Sequence, residues 1–418
     1  MRILYIADAR SAIAQNWIGH FVDRGHDVHV ISSYLCSPSV IAGAKLYQFP
    51  IAFSQLARVN HNGTVGSQAN GSPANRVLAT LRTGGPSTLF RKMLPWLGSL
   101  EIGRHAEAAR AQINQISPDI VHAMRIPFEG ILGALATPQQ IPLLVSVWGN
   151  DFTLFAKGYP LIARQTRQCL QRSQALHCDC QRDLKLARQT WSFPSDRPTM
   201  VLPGAGGIQT SMFHSGEPDP AVRRRLNIPN HAPVIINPRG LRAYVRNETF
   251  FQALPRVLRE FPGAIFICTG MQGIPIVHKW LRRLDIEKSV RLLPSVPRSE
   301  MAELFRLATV TVSPSLHDGT PNTLLEAMAC GCFPVAGDIE SVREWITDGV
   351  NGLLCDPANA DSLAQAMVQA ITNESLRDKA REHNQHLVAE RANYDTVMKR
   401  AEQFYLEVAH PLKAALTA

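Results

Sequence analysis

The sequence predicts an α/β protein of two doubly wound parallel sheets. Three observations carry that expectation. Short apolar runs rich in β-branched residues recur in two sets of six. Amphipathic helical stripes lie between many of them, and a Gly- and Pro-rich stretch at residues 205–230 separates the sets. Strands that alternate with helices fold as parallel sheets with right-handed crossovers.

The first run, Ile3–Ala7, is apolar without alternation, the pattern of a strand buried on both faces, and Asp8 ends it. Ile13, Trp17, Ile18, Phe21 and Val22 then form one helical stripe, closed by Gly25. Further strands are expected at Val28–Ser32, Ile120–Ala123, Leu143–Trp148, Ala175–Cys178 and Met200–Leu202. Residues 54–75 read as an exposed loop. Residues 76–110 mix Leu, Phe, Met and Trp with Arg and Lys. They read as a packed helical excursion or as a basic-apolar surface meeting a membrane or a lipid-linked acceptor. In the second half, strands are expected at Val234–Asn237, Ala264–Thr269, Val290–Leu293, Val310–Ser313, Phe333–Ala336 and Leu353–Cys355. Phe250, Phe251, Leu254, Val257 and Leu258 make a second helical stripe, and beyond Tyr394 the residues Val397, Ala401, Phe404, Tyr405 and Val408 share a helical register. The expected division is an N-terminal domain, 1–205, a C-terminal domain, 206–394, and a helix, 395–418, that crosses back to the N-terminal domain.

Composition excludes several classes. A chain of 418 residues with 45% hydrophobic and 18% charged side chains can bury a large core without staples. Its eight cysteines, two pairs of which are C-x-C, therefore read as buried thiols of a reducing compartment. The apolar run at the N-terminus is too short for a signal peptide, and no run reaches the length of a membrane span. The net charge of +9 lies entirely in residues 1–200, which hold 20 basic and 11 acidic side chains, whereas residues 201–418 hold 23 of each. The basic residues are neither interleaved with aromatics nor clustered on one helix, so nucleic acid is not the expected partner. Attraction to anionic lipid or to a phosphorylated acceptor fits the charge equally well. The expected location is cytoplasmic, with peripheral contact at the inner face of a membrane.

The most informative segment is Ser313 to Asp338, SPSLHDGTPNTLLEAMACGCFPVAGD, which reads strand, loop, helix, turn, strand. Thr320 is the expected N-cap, Pro321 the first helical residue and Gly331 the stop. Asp318, Gly319 and Thr320 fall at the carboxyl end of a parallel strand, where open α/β sheets bind ligands. Backbone N–H groups at the helix start favour phosphate. Glu326 adds a second carboxylate eight residues after Asp318. Two carboxylates suit a hydroxyl-rich ligand, since they accept hydrogen bonds from sugar hydroxyls. The plainer alternative is one solvated carboxylate and one helix-surface glutamate.

This segment resembles the E-x7-E signature of glycosyltransferase family 4, the retaining transferases of GT-B fold. The resemblance continues through EAMACG and PVAGD to ITDGVNGLLCDP, residues 346–357. In the first half GHDVHVIS (25–32), SPDIVHAM (117–124), VSVWGND (145–151) and VLPGAGGIQTSMF (201–213) resemble family segments in the same order. The resemblance implies two Rossmann-like domains facing each other across a cleft, with a nucleotide-sugar donor on the C-terminal domain and the acceptor on the N-terminal domain. It implies that Glu326 holds the nucleotide ribose and that Asp318 stands near the donor sugar. The backbone from Gly319 through Thr320, Pro321, Asn322 and Thr323 would face the diphosphate and sugar. Family members place an Arg and a Lys after the first C-terminal strand; here Arg239, Arg242 and Arg246 are the candidates, with Arg239 foremost and one of the three a solvated helix-start charge. No cofactor and no metal are expected, because basic residues and a helix N-terminus would neutralise the diphosphate.

Three departures from the family pattern matter. Asp318 is one methylene shorter than the usual glutamate. Asp8, Arg10 and Ser11 replace the common Gly-Gly loop after the first strand, which suggests side-chain contacts to donor or acceptor there. Trp148-Gly149 stands where His-Gly is usual, which makes Asp151 a substitute as hydroxyl ligand or base, or alternatively a loop cap. His122 is a further acceptor-side candidate whose alternative is a satisfied core histidine. The expected activity is retaining transfer of a sugar from a nucleoside-diphosphate donor to an acceptor hydroxyl. The alternatives are a GT-B sugar-nucleotide epimerase and a non-catalytic nucleotide-sugar binder.

Overall fold

The computed structural model describes residues 1–51, 87–242 and 244–410, with backbone only for 87–101. The expected exposed loop at 54–75 lies outside the described residues. So do the side chains of most of the basic-apolar stretch, Leu89, Phe90, Arg91, Lys92, Leu94 and Trp96 included. Two compact units result, Met1–Gly206 with Met398–Ala418, and Gly207–Val397.

The first unit holds a seven-stranded sheet of order β3-β2-β1-β4-β5-β6-β7. Its strands are β1 (Arg2–Ala7), β2 (Asp27–Ser32), β3 (Lys45–Gln48), β4 (Ile120–Ala123), β5 (Leu143–Val147), β6 (Ala175–Cys178) and β7 (Thr199–Val201). Every pairing is parallel. The second unit holds a six-stranded sheet of order β10-β9-β8-β11-β12-β13, also wholly parallel. Its strands are β8 (Val234–Asn237), β9 (Ile265–Cys268), β10 (Val290–Leu292), β11 (Val310–Ser313), β12 (Phe333–Gly337) and β13 (Leu353–Cys355). All twelve expected strands are present. The thirteenth, β3, escaped the sequence reading because KLYQ is an edge strand without a fully buried residue and carries no apolar run.

Burial on both faces explains the unbroken apolar runs. Val234 and Ile236 enter one core of the second unit, whereas the intervening Ile235 enters the other, beneath the helices Asn247–Glu260 and Ala360–Thr372. In the first unit Leu4, Ile6, Val121, Val145 and Val147 face one core. Tyr5 faces the other side, among Phe21 of helix Ala12–Asp23 and Tyr405 of helix Tyr394–Ala409. All eight cysteines are free thiols, seven of them buried. One helix boundary is corrected: the helix after β11 runs Asn322–Ala329 with Pro321 at its N-cap position, so Thr320 lies one residue outside it.

Candidate functional site

In each sheet the strand order reverses once, between β1 and β4 and between β8 and β11. Crossovers leave such a point in opposite directions, so a crevice opens at the carboxyl ends of those two strands. In the second unit the chain leaving β8 carries Arg239 and the chain leaving β11 carries Asp318. Arg239 Nη2 donates to Asp318 Oδ2 at 2.6 Å, and Nη1 to Thr323 Oγ1 at 3.3 Å. The two ion-paired side chains are only 10% and 14% exposed.

Buried amides hold this arrangement. Asn237, at the end of β8, accepts the Arg239 backbone N–H through Oδ1 and donates through Nδ2 to Asn247, whose own Nδ2 bonds the carbonyls of Gly240 and Val245. Ser341 Oγ donates to the Asp318 carbonyl. Gly337 closes β12 against the same loop, and a Cβ there would meet the Ser315 carbonyl oxygen at 2.5 Å. Gly319, Thr320 and Pro321 are buried, while Asn322 and Thr323 are half-buried at the start of the following helix. Arg239 Nε, Ser315 Oγ and Asn322 Oδ1 are buried without a hydrogen-bond partner, an arrangement that a polar ligand would satisfy.

The three candidate arginines are not equivalent. Arg242 and Arg246 are exposed and line a separate surface groove of about 650 Å³ with Asn247, Glu248 and Trp280. Arg242 donates to the Tyr244 hydroxyl, and Arg246 occupies the N-cap position of helix Asn247–Glu260. Arg246 is thus the helix-start charge expected among the three.

Glu326 is not a helix-surface residue, since only 9% of it is exposed. Burial raises its carboxyl above the ordinary range, and Arg298 opposes that shift by donating from Nη2 to Oε1 at 3.1 Å. Arg298 also reaches Gln209 and lies 5.1 Å over the Phe213 ring. Sequence reading missed Arg298, Asn237 and Asn247, because a single charge in the first turn of a helix and two separate amides carry no spacing signal.

In the first unit Arg10 donates twice to the Asp8 carboxylate at 3.0 and 3.1 Å and stacks 3.7 Å over the Tyr34 ring. Asp151 is 1% exposed, and its carboxylate accepts from Arg125 Nε at 2.9 Å and from the backbone N–H groups of Trp148 and Ile126. This is the loop-cap geometry, and burial keeps its carboxyl above the ordinary range despite the donors.

His122 belongs to a buried relay. His177 donates from Nε2–H to the Leu202 carbonyl, so His177 Nδ1 accepts from Ser146. Ser146 in turn accepts from His122 Nε2, which leaves His122 Nδ1 to accept from the Tyr405 hydroxyl, itself reached by Trp17 Nε1. Every member is satisfied with both imidazoles neutral, and burial lowers both from their ordinary range. His122 is therefore the satisfied core histidine of the two alternatives.

Among the described residues one cluster has ligand atoms within 4.8 Å of one another, Asp179, Cys180 and Asp183. Arg182 donates from Nε and Nη2 to Asp183 Oδ1 and from Nη2 to the Gly149 carbonyl, so a cation already occupies this cluster's side.

Two family models match the chain: "Glycosyl transferase 4-like domain" over residues 11–204 and "Glycosyl transferases group 1" over residues 219–387. Curated relatives include D-inositol 3-phosphate glycosyltransferases of Thermobifida fusca, 26% identical over 203 residues, and of Frankia alni, 29% identical over 188 residues. These alignments cover 46% and 42% of this chain and 46% and 45% of the relatives, so the chain spans about half the length of the curated relatives it matches. Solved structures agree in fold. Sucrose-phosphate synthase from Thermosynechococcus elongatus has a TM-score of 0.71 at 13% identity, covering 98% of this chain and 99% of that one. Anabaena HepE in complex with UDP has a TM-score of 0.69 at 16% identity, covering 96% of this chain and 99% of that one.

Proposed function

This chain belongs to glycosyltransferase family 4, and from that premise we propose that it moves a sugar from a nucleoside-diphosphate donor to an acceptor hydroxyl with retention at the anomeric carbon. The observation that carries the reading is the Arg239–Asp318 pair at the β8–β11 crevice, beside the helix that bears Glu326. The named relatives transfer sugar to an inositol phosphate, and HepE was solved with UDP and UDP-glucose, which supports a nucleotide-sugar donor.

In this reading Arg239 meets the diphosphate, where negative charge grows as the glycosidic C–O bond breaks. Its fork-shaped guanidinium suits two phosphate oxygens. The N–H groups at the start of helix Asn322–Ala329 add to that field. Asp318 orients Arg239 and offers a carboxylate to the sugar hydroxyls, and Glu326 takes the ribose hydroxyls. The acceptor hydroxyl attacks from the departing phosphate's own face, and its proton passes to the leaving phosphate. No protein nucleophile and no resident metal is invoked. Positioning and charge stabilisation supply the rate.

The chain acts in the cytoplasm and touches an anionic membrane or a lipid-linked acceptor in this reading, for which the excess charge in residues 1–200 is the support. No helix among the described residues is long and apolar enough to cross a membrane. Sedimentation with anionic vesicles at low salt, lost at high salt and in Arg91→Glu/Lys92→Glu, is the expected result; no sedimentation removes the membrane from the reading. The activity is tested by incubation with UDP-, GDP- and ADP-sugars. Stabilisation by one nucleotide class and turnover of its sugar support it, whereas absence of both excludes it.

A further inference from the structure

We propose that Glu129, assisted by Ser33, forms a hydroxyl-binding subsite at the β1–β4 crevice of the first unit, and that its ligand is a polyol or sugar. Its use as the acceptor subsite rests on the transfer reading above; the binding itself is argued from the first unit alone.

Topology gathers the residues. Asp8 follows β1, Ser33 follows β2 and Glu129 follows β4, so all three lie at the carboxyl end of the sheet around its point of reversal. Ser33 Oγ donates to Glu129 Oε1 at 2.6 Å. Glu129 is 5% exposed and has no ion-pair partner within 4 Å among the described residues. A buried carboxylate with a purely structural task is paired or multiply bonded. Asp151 shows that pattern, with Arg125 and two backbone donors. Glu129 has only the Ser33 hydroxyl and its own backbone N–H as hydrogen-bond donors.

The backbone holds Glu129 there under strain. Phe128, just before it, has φ 70° and ψ −69°, a conformation that a bulky residue rarely adopts. Gly130, just after it, bonds back to the Arg125 carbonyl at 2.6 Å, and a Cβ at Gly130 would meet that oxygen at 2.9 Å. Strain of this kind persists where the surroundings over-determine it, and it concentrates at functional sites. A carboxylate accepts hydrogen bonds and donates none, so the matching ligand group is a hydroxyl.

The charged and titratable groups acting on Glu129 are Asp8 after β1, Tyr34 after β2 and Arg125 beside it; behind them Arg10 lies over the Tyr34 ring and Asp151 after β5 accepts from Arg125. Burial pushes the Glu129 carboxyl up to about 7, with Ser33 and Arg125 opposing the shift and Asp8 adding to it. Hydroxyl binding therefore strengthens as pH rises through neutrality.

The experiment titrates the full chain with glucose, myo-inositol and glycerol by calorimetry at pH 6 and pH 8.5, using the unmodified protein, Glu129→Gln and Ser33→Ala. A UDP-induced thermal shift, measured in parallel, reports on the second unit. The expected result is that at least one polyol binds about tenfold more tightly at pH 8.5, in proportion to the ionised fraction of a group titrating near 7. That dependence disappears in Glu129→Gln, and Ser33→Ala weakens binding while the UDP shift stays intact. Should Glu129→Gln fail to fold, Ser33→Ala and the pH dependence of the unmodified protein decide. Absence of polyol binding at both pH values overturns the proposal, as does binding that is indifferent to pH and to Ser33→Ala. Loss of the UDP shift alone counts against the donor reading and leaves the subsite standing.

Discussion

Arg239→Ala removes the guanidinium that faces Asp318 at 2.6 Å and Thr323 at 3.3 Å. Two effects follow, and they separate. The first is on stability, because Asp318 loses its ion pair with Arg239, in which the two side chains are 10% and 14% exposed. Breaking a fully buried pair costs about 3–5 kcal/mol, and an exposed pair contributes about 0–1 kcal/mol. At 10% and 14% exposure the expected loss is about 2 kcal/mol, which lowers the second unit's melting temperature by about 4–8 °C. The second effect is on rate: loss of a principal stabiliser of developing charge lowers kcat by about 10²-fold or more. Asp318→Asn in the Arg239→Ala background removes the mostly buried negative charge that Arg239 had balanced, so it restores part of the stability and none of the rate. Arg239→Lys falls between, since an ammonium cannot make the fork-shaped contact. The assays are thermal melting and steady-state turnover of the donor identified by the nucleotide panel. Turnover within a factor of about three of the unmodified protein in Arg239→Ala refutes the reasoning, because charge stabilisation on this scale cannot be removed silently. A large loss in Arg246→Ala alone also refutes it.

Glu326→Ala weakens nucleotide affinity by about tenfold or more, with a stability loss of about 1 kcal/mol because its partner Arg298 is 37% exposed and stays hydrated; unchanged affinity removes Glu326 from the site. Gly337→Ala drives a Cβ into the Ser315 carbonyl at 2.5 Å and shifts the loop that carries Asp318, so the nucleotide-induced thermal shift falls while the protein remains folded; an unchanged shift contradicts this. Burial lowers His177 to about 4, so its contribution to stability is complete above the unfolded value of 6.5 and is lost as pH falls toward 4, by about 3 kcal/mol. Because Glu129 titrates in the opposite sense over the same range, melting of the first unit between pH 7 and 4.5 checks this in a Glu129→Gln background, and adding His177→Gln flattens that profile. Glu129 runs the opposite way. Its carboxyl is raised to about 7, so stability is complete below 4.5 and declines by about 3 kcal/mol as pH rises past 7, a decline absent in Glu129→Gln.

The sheets were legible because burial on both faces leaves a simple trace, as in Val234–Asn237 and Ile120–Ala123. The edge strand β3 left none, since its residues KLYQ pack on one neighbour only. The signature segment was legible because one short stretch carries both carboxylates and the helix start. Arg239 stood foremost among the three arginines in the sequence and is the one that pairs with Asp318, yet spacing could not show that Arg242 and Arg246 turn outward, because a loop has no periodicity to read. Asp151 looked free in the sequence, and its three donors come from residues 3 to 26 positions away. Glu129 was invisible for a related reason. Its environment is made by Ser33, 96 residues earlier, and by a γ-like turn at Phe128 that no residue type announces.

The most direct measurement is NMR of the sugar released or transferred from an α-linked nucleoside-diphosphate donor, recorded before the anomers equilibrate. The expected result is net turnover in which the first-formed product keeps the α configuration, lowered about 10²-fold or more in Arg239→Ala and weakened in Glu326→Ala. A β product contradicts retention, and failure to turn over any UDP-, GDP- or ADP-sugar contradicts glycosyl transfer itself.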